Sequence, residues 1–253
     1  MPFVAFVNAA DRLTNHEADI IVEALRIQAI EEFSGLWPGI EIFPPIFVEH
    51  EQGLPQGAYP IVFVNDPDAA DVAAYHAVDR GGKYYGHVFV NLLLNRGSGG
   101  IFNEVSRGAS HEYFELLGNP TCCRYVDGPP TEQGSRYCFE MADPVQDNAY
   151  TKSLVRGGDT YEVRVSDLVG PGYFGQSGPL SITGAPKGPF KVADRGYQVI
   201  ADEHGNDHSV FGLGAEHPPN QIKRANERHS RVVRMRAGRP LETVDAARLA
   251  RPR

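Results

Sequence analysis

The feature that most constrains this chain is the stretch 103–120, NEVSRGASHEYFELLGNP, an apolar segment in which His111, Glu112 and Glu115 crowd into little more than one helical turn. On a helix, residues four apart lie on one face, so the His111 imidazole and the Glu115 carboxylate can grip a single cation. Glu112 is turned about 100° away, toward the position of an attacking water. Val105, Ala109, Tyr113, Phe114, Leu116 and Leu117 make the same segment apolar on most sides. Charged groups in such a place are costly unless paired or bound to metal. The spacing therefore predicts a buried helix ended by Gly118-Asn119-Pro120, with His111 and Glu115 placed to bind one cation and Glu112 turned toward where a metal-bound water would sit. A satisfied polar cluster without metal is the alternative.

The chain before this helix reads as a strand, a long helix and several strands. Phe3 to Val7 is β-rich, and Asn15 to Phe33 carries an apolar stripe (Ala18, Ile21, Val22, Leu25, Ala29, Ile30) with Asn15 as N-cap. His16 and Glu17, in its first turn, read as capping and dipole partners. Trp37 reads as a core anchor. Ile40 to Val48 suggests one or two strands made irregular by Pro44 and Pro45, since proline cannot donate to a ladder. Ile61 to Val64, Val72 to Val78 and Tyr84 to Leu94 read as extended, the last two joined by a turn at 79–83. His76 and His87, in these strands, read as hydrogen-bonded core or rim residues. Gly97, Gly99 and Gly100 then loop into the motif helix.

A helix face gives two ligands, so a third must come from elsewhere to complete a tetrahedral site with one open position. The segment YCFEMADPVQ at 137–146 offers Glu140 and Asp143, with Asp-Pro supplying a turn that holds both carboxylates. Cys122, Cys123 and Cys138 cluster near the same region. Their odd number argues against a disulfide framework, and they read as small buried hydrophobes, with soft ligation by Cys122 or Cys138 as the alternative. An intracellular or particle-enclosed setting is expected, cytoplasmic or particle-associated, with no signal peptide or transmembrane segment.

HExxE is a variant of the zincin HExxH motif, and the layout of about the first 120 residues resembles the N-terminal subdomain of zincin metallopeptidases. There a backing helix and a twisted sheet support the active-site helix, and an edge strand pairs with extended substrate. Thr121 stands where the metzincin pattern would have its third ligand, so that subgroup does not fit. Three motifs in order, SHEYFELLGNP at 110–120, EMADP at 140–144 and VSDLVGPGYF at 165–174, resemble a zincin-like family over roughly 65 residues. One departure is Asn119, where relatives carry Asp. The resemblance implies His111 and Glu115 as metal ligands, Glu112 as base, Glu140 as third ligand, and Asp143 as an outer partner or alternative ligand. Tyr173 is expected as a phenol donor to a developing oxyanion, and Ser166 and Asp167 as groups orienting a ligand. Two carboxylates and one imidazole bring a net −2 charge to the cation, Zn2+ or another divalent ion. This makes it less electrophilic than a His-rich site and opens it to hard cations.

The expected fold is α+β and zincin-like over 1–175, followed by a glycine/proline-rich β extension over 176–214. DEHGNDH at 202–208 there reads as a hairpin tip, and short strands are expected near Phe190 to Val192 and Tyr197 to Ala201. A basic, flexible tail covers 215–253. From Asn220 onward about ten Lys/Arg stand against three Asp/Glu, so the overall charge of −8 leaves about −15 on the rest. Such a tail suits self-assembly, an acidic partner or, less readily, nucleic acid. The expected function is a metal-dependent hydrolase acting on a peptide or protein substrate. The alternative is a non-catalytic structural or interaction protein of a phage or other particle that keeps the scaffold.

Overall fold

A computed structural model describes residues 2–68, 72–79, 81–214 and 241–252. They form a mixed α/β structure with twisted mixed sheets. Strand β1 (Val4–Asn8) is followed by helix α1 (Asn15–Gln28), which runs through a π-turn (Ala29–Phe33) into a last turn, α2 (Ser34–Leu36). Strands β2 (Pro45–Val48), β3 (Tyr59–Val64), β4 (Ala74–Val78) and β5 (Tyr84–Phe89) complete the first sheet, in the order β2-β1-β3-β5-β4. All pairs are parallel except β4 with β5, so an antiparallel strand ends the sheet. The unbroken run Val4 to Val7 is buried, as strands covered on both faces must be.

Helix α1 lies between this sheet and a hairpin of β8 (Ala149–Arg156) and β9 (Asp159–Ser166). Ile21 and Leu25 join the main core, while Ile20 and Ala24 pack with Leu154, Val163 and Val165 of the hairpin. Burial on two sides explains why the helix is apolar beyond one stripe. Its N-cap is Thr14, one residue before the expected Asn15. The Thr14 side chain accepts from Glu17 N, and Glu17 reaches back to Thr14 N, completing a capping box.

After β5 the residues Val90 to Leu94, expected to continue the strand, belong to helix α3 (Val90–Arg96). A short apolar run does not distinguish a buried strand from a buried helix by period. A π-turn (Ile101–Val105) leads into α4 (Ser106–Gly118), which carries the motif. The second sheet has the order β11-β10-β7-β6-β12, from β6 (Arg124–Asp127), β7 (Arg136–Cys138), β10 (Tyr197–Ala201), β11 (Asp207–Phe211) and β12 (Glu242–Thr243). The 176–214 segment thus shares a sheet with β6 and β7. Phe190 to Val192 forms no strand, and the 202–208 stretch is the expected hairpin tip, with Asp202 accepting from His204 N and Asn206 N.

The far end of the expected tail is folded onto the body. β12 pairs in parallel with β6, and the short helix α5 (Ala246–Leu249) buries Ala246. Gly39 N donates to Leu249 O, and a side chain at Gly39 would meet that backbone oxygen at 2.6 Å. The rest of the expected tail, 215–240, lies outside the described residues. Among the described residues no helix is long and apolar enough to cross a membrane.

Candidate metal centre

Three segments hold α4 and its surroundings in place. Ser110 Oγ donates to Gln28 Oε1, Gln28 Nε2 donates to Ser166 O, and Ser166 N donates to Ser110 Oγ. This closed, buried ring ties α4 to α1 and β9 on the side away from the motif acids. Trp37 is fully buried as expected, donating from Nε1 to Val169 O at 2.9 Å and packing edge-on against Phe139. Val169 N in turn donates to Met141 O. The Trp37 anchor therefore fixes the segment that carries Glu140 and Asp143.

His111 Nε2 lies 3.1 Å from Glu115 Oε2 and 3.2 Å from Asp143 Oδ1. The helix spacing sets the first contact, and Glu115 itself sets the second. Its other oxygen, Oε1, accepts from Ala142 N at 3.2 Å and Asp143 N at 3.1 Å, drawing the 142–143 turn onto the helix. The proline of Asp143-Pro144 then starts a 3-10 turn. Asp143 Oδ1 is buried and has no aligned hydrogen-bond donor, despite its short distance from His111. Donors of a tetrahedral zinc ion with bonds of about 2.0–2.1 Å stand about 3.4 Å apart, close to both distances from His111, and the three ligand atoms lie within 4.8 Å of one another.

Glu140, expected as third ligand, does not join His111 and Glu115 in this group. Asp143, the expected alternative, takes that place. Asn119 Nδ2 draws Glu140 Oε1 aside at 2.8 Å, while Asn119 Oδ1 accepts from Arg124 N. An ionised aspartate at 119 could not donate that bond. Glu140 instead stands with His76 and Cys122. Glu112 points into the same cavity, its Oε2 3.2 Å from His76 Nδ1. The cavity, about 510 Å3 in volume, is lined by the motif residues together with His76, Cys122 and Tyr197.

Tyr173 is not in the cavity. Its ring is buried against Phe174 and its hydroxyl donates to Gln198 Oε1, so it is a core residue and not the expected oxyanion donor. Asp167 is likewise committed elsewhere. Its carboxylate accepts from Leu168 N, Thr183 N and Thr183 Oγ1, and Ser166 serves the Gln28 ring, so neither orients a ligand. The phenol at the site is Tyr197, half-buried on β10 where it lines the cavity and hydrogen-bonded to the Asp143 carboxylate. Sequence reasoning placed a strand there but saw no reason to single out the tyrosine. His16 keeps a structural role, its Nε2 3.1 Å from the Tyr161 hydroxyl.

The electrostatics follow from crowding like charges in a dry place. Burial and then the Glu115 charge push the Asp143 carboxyl up to about 6, against the opposing pull of His111 and Tyr197. Burial and Glu115 also raise Glu140 well above the usual carboxylate range, with His76 opposing. For His111 burial disfavours the charged ring, yet Glu115 and Asp143 outweigh it and hold its pKa well above the usual value. His76 behaves alike, raised by Cys122 and Glu140 against its burial. Protons thus take up, in the metal-free chain, the charge that a dication would neutralise. Compared with protein-family models, curated proteins and solved structures, the chain gives no match.

Proposed function

We propose that this chain is a metal-dependent hydrolase of zincin-like type, acting on peptides. The observation that carries the reading is the convergence of His111 Nε2, Glu115 Oε2 and Asp143 Oδ1, with separations of 3.1 and 3.2 Å from the histidine. A dication such as Zn2+ held there would supply Lewis acidity, acidifying a water and polarising a carbonyl.

The chain's own residues supply the rest. Glu112, one residue after the His111 ligand, is the base that accepts the proton of the attacking water. His76 Nδ1 holds its Oε2 in position. Tyr197, through its bond to Asp143, orients that carboxylate. Strand β4 ends the first sheet beside the cavity, which Ala74 to His76 help to line, so an extended peptide can add to it by backbone pairing. The sheet order with its antiparallel end strand, α1 behind and α4 beneath the cavity, supports the zincin-like reading. With two carboxylates and one imidazole as ligands, turnover is slower than at a His-rich site, and Mn2+ or Co2+ can substitute for Zn2+.

The test is Glu112→Gln in the full chain, assayed on a broad peptide library after loading with Zn2+. The expected outcome is a loss of about 10²–10⁴ in rate with metal content unchanged. A Zn2+-loaded wild type without any turnover would replace this reading with the non-catalytic scaffold.

A further inference from the structure

On the far side of His76 from Glu112 lies a second set of donors. His76 Nε2 is 3.3 Å from Cys122 Sγ and 3.9 Å from Glu140 Oε2, and all three residues are buried. We propose that His76, Cys122 and Glu140 form a second cation site, selective for a thiophilic dication such as Zn2+ or Co2+, next to the His111–Glu115–Asp143 site.

Geometry supports it first. A tetrahedral zinc ion with bonds of about 2.0 Å to nitrogen and 2.3 Å to sulfur separates those donors by about 3.5 Å, close to the His76–Cys122 distance. Glu140 Oε2 is buried and has no hydrogen-bond partner, while its other oxygen is held by Asn119, so the free oxygen faces the histidine and the thiol. His76 is oriented as metal-bound imidazoles usually are, with one nitrogen toward the donors and the other against a carboxylate, here Glu112 at 3.2 Å. Without an ion, His76 Nε2 is within hydrogen-bond distance of the Asn119 carbonyl at 3.1 Å, a bond in which Nε2 is the donor and which ligation would replace.

The backbone supports it independently. Asn119 to Cys122 closes a turn, with Cys122 N donating to Asn119 O, and Cys122 then takes φ 52°, a left-handed conformation that a non-glycine residue rarely adopts. That turn brings the thiol back beside β4. Strain of this kind persists where the surrounding structure imposes it, often at a ligand site.

Charge supports it a third way. Four carboxylates, Glu112, Glu115, Glu140 and Asp143, and one thiol surround two imidazoles. Arg107 and Arg195, which also line the cavity, pair instead with Glu104 and Asp147. One dication at His111 does not reach Glu140 and Cys122, and a second one joins them, the thiol and His76 giving up their protons on ligation.

This site does not depend on the hydrolase reading, and its test needs no turnover. Metal-free full-length protein is titrated with Co2+ while the sulfur-to-cobalt charge-transfer absorption is followed. Wild type is expected to bind two equivalents and to show the band. Cys122→Ser should lose the band and one equivalent, and Asp143→Asn should lose the other equivalent but keep the band. Glu140→Gln, nearly isosteric, should weaken the band-forming site at least tenfold with an unchanged circular dichroism spectrum, which covers the case of a misfolded Cys122 variant. A wild type that binds one equivalent without the band, or a band that survives in Cys122→Ser, overturns the second site. Neither result touches the Glu112→Gln test.

Discussion

Removing the Ser110 hydroxyl probes how single side chains hold the site helix. Ser110→Ala leaves Gln28 Oε1 without its donor and Ser166 N without its acceptor, both buried. The expected cost is about 1–3 kcal/mol, read as a lower thermal midpoint, whereas a surface serine on β8 such as Ser153 should cost far less. At this scale the sequence disclosed what local geometry dictates. His111, Glu112 and Glu115 were legible because helical spacing alone relates them. Asp143 was visible only as an alternative to Glu140, since the choice depends on Glu115 capturing the 142–143 amides and on Asn119 diverting Glu140. Cys122 was visible only as an alternative soft ligand, and His76 and Tyr197 left no local signal of a site. His76 reaches the cavity through the antiparallel register that sets it opposite Gly86, Cys122 through a left-handed turn, and Tyr197 through a strand pairing with β7.

Among elements, the turn carrying Asp143 depends on its neighbour across the chain. Gly196 packs so closely that an added methyl would stand 2.2 Å from Pro144 O, and Ala193 N donates to that same oxygen. Gly196→Ala must therefore displace the backbone of Asp143 and Pro144. The expected outcome is at least a tenfold weaker Zn2+ affinity by competition with a chromogenic chelator, with a stability loss of about 1–3 kcal/mol. Unchanged affinity would mean that Asp143 is not a ligand. Apart from α3, the element order up to α4 was legible because α1 and α4 carry a helical apolar pattern and the short strands are β-rich and bounded by turns. The β8 partner of β9 was not, because its residues alternate burial only once the hairpin covers α1. Nor was α3, whose apolar run fits either periodicity.

For the whole molecule, the cluster ties stability to pH and metal. Asp143 is raised to about 6, and Glu140, His111 and His76 are also raised. For all four, the folded chain binds protons more tightly than the unfolded chain does. Their contribution is complete below the unfolded values, about 4 for the carboxyls and about 6.5 for the histidines, and is lost as pH rises through the folded ones. The metal-free protein should therefore lose thermal stability from about pH 4 upward, and Zn2+ should raise its midpoint more at pH 7.5 than at pH 5. A Zn2+ effect larger at pH 5 would contradict this. The C-terminal segment 241–252 is part of the fold. A chain ending at residue 240 should unfold at a lower temperature than the full chain, because it loses the β12–β6 pairing and the buried Ala246.

The central claim is that His111, Glu115 and Asp143 share one ion, and anomalous diffraction at the zinc edge from crystals grown with Zn2+ tests it most directly. A peak is expected about 2.0–2.2 Å from His111 Nε2, Glu115 Oε2 and Asp143 Oδ1. A map with no peak among those atoms, at full occupancy of Zn2+ elsewhere on the protein, would contradict it.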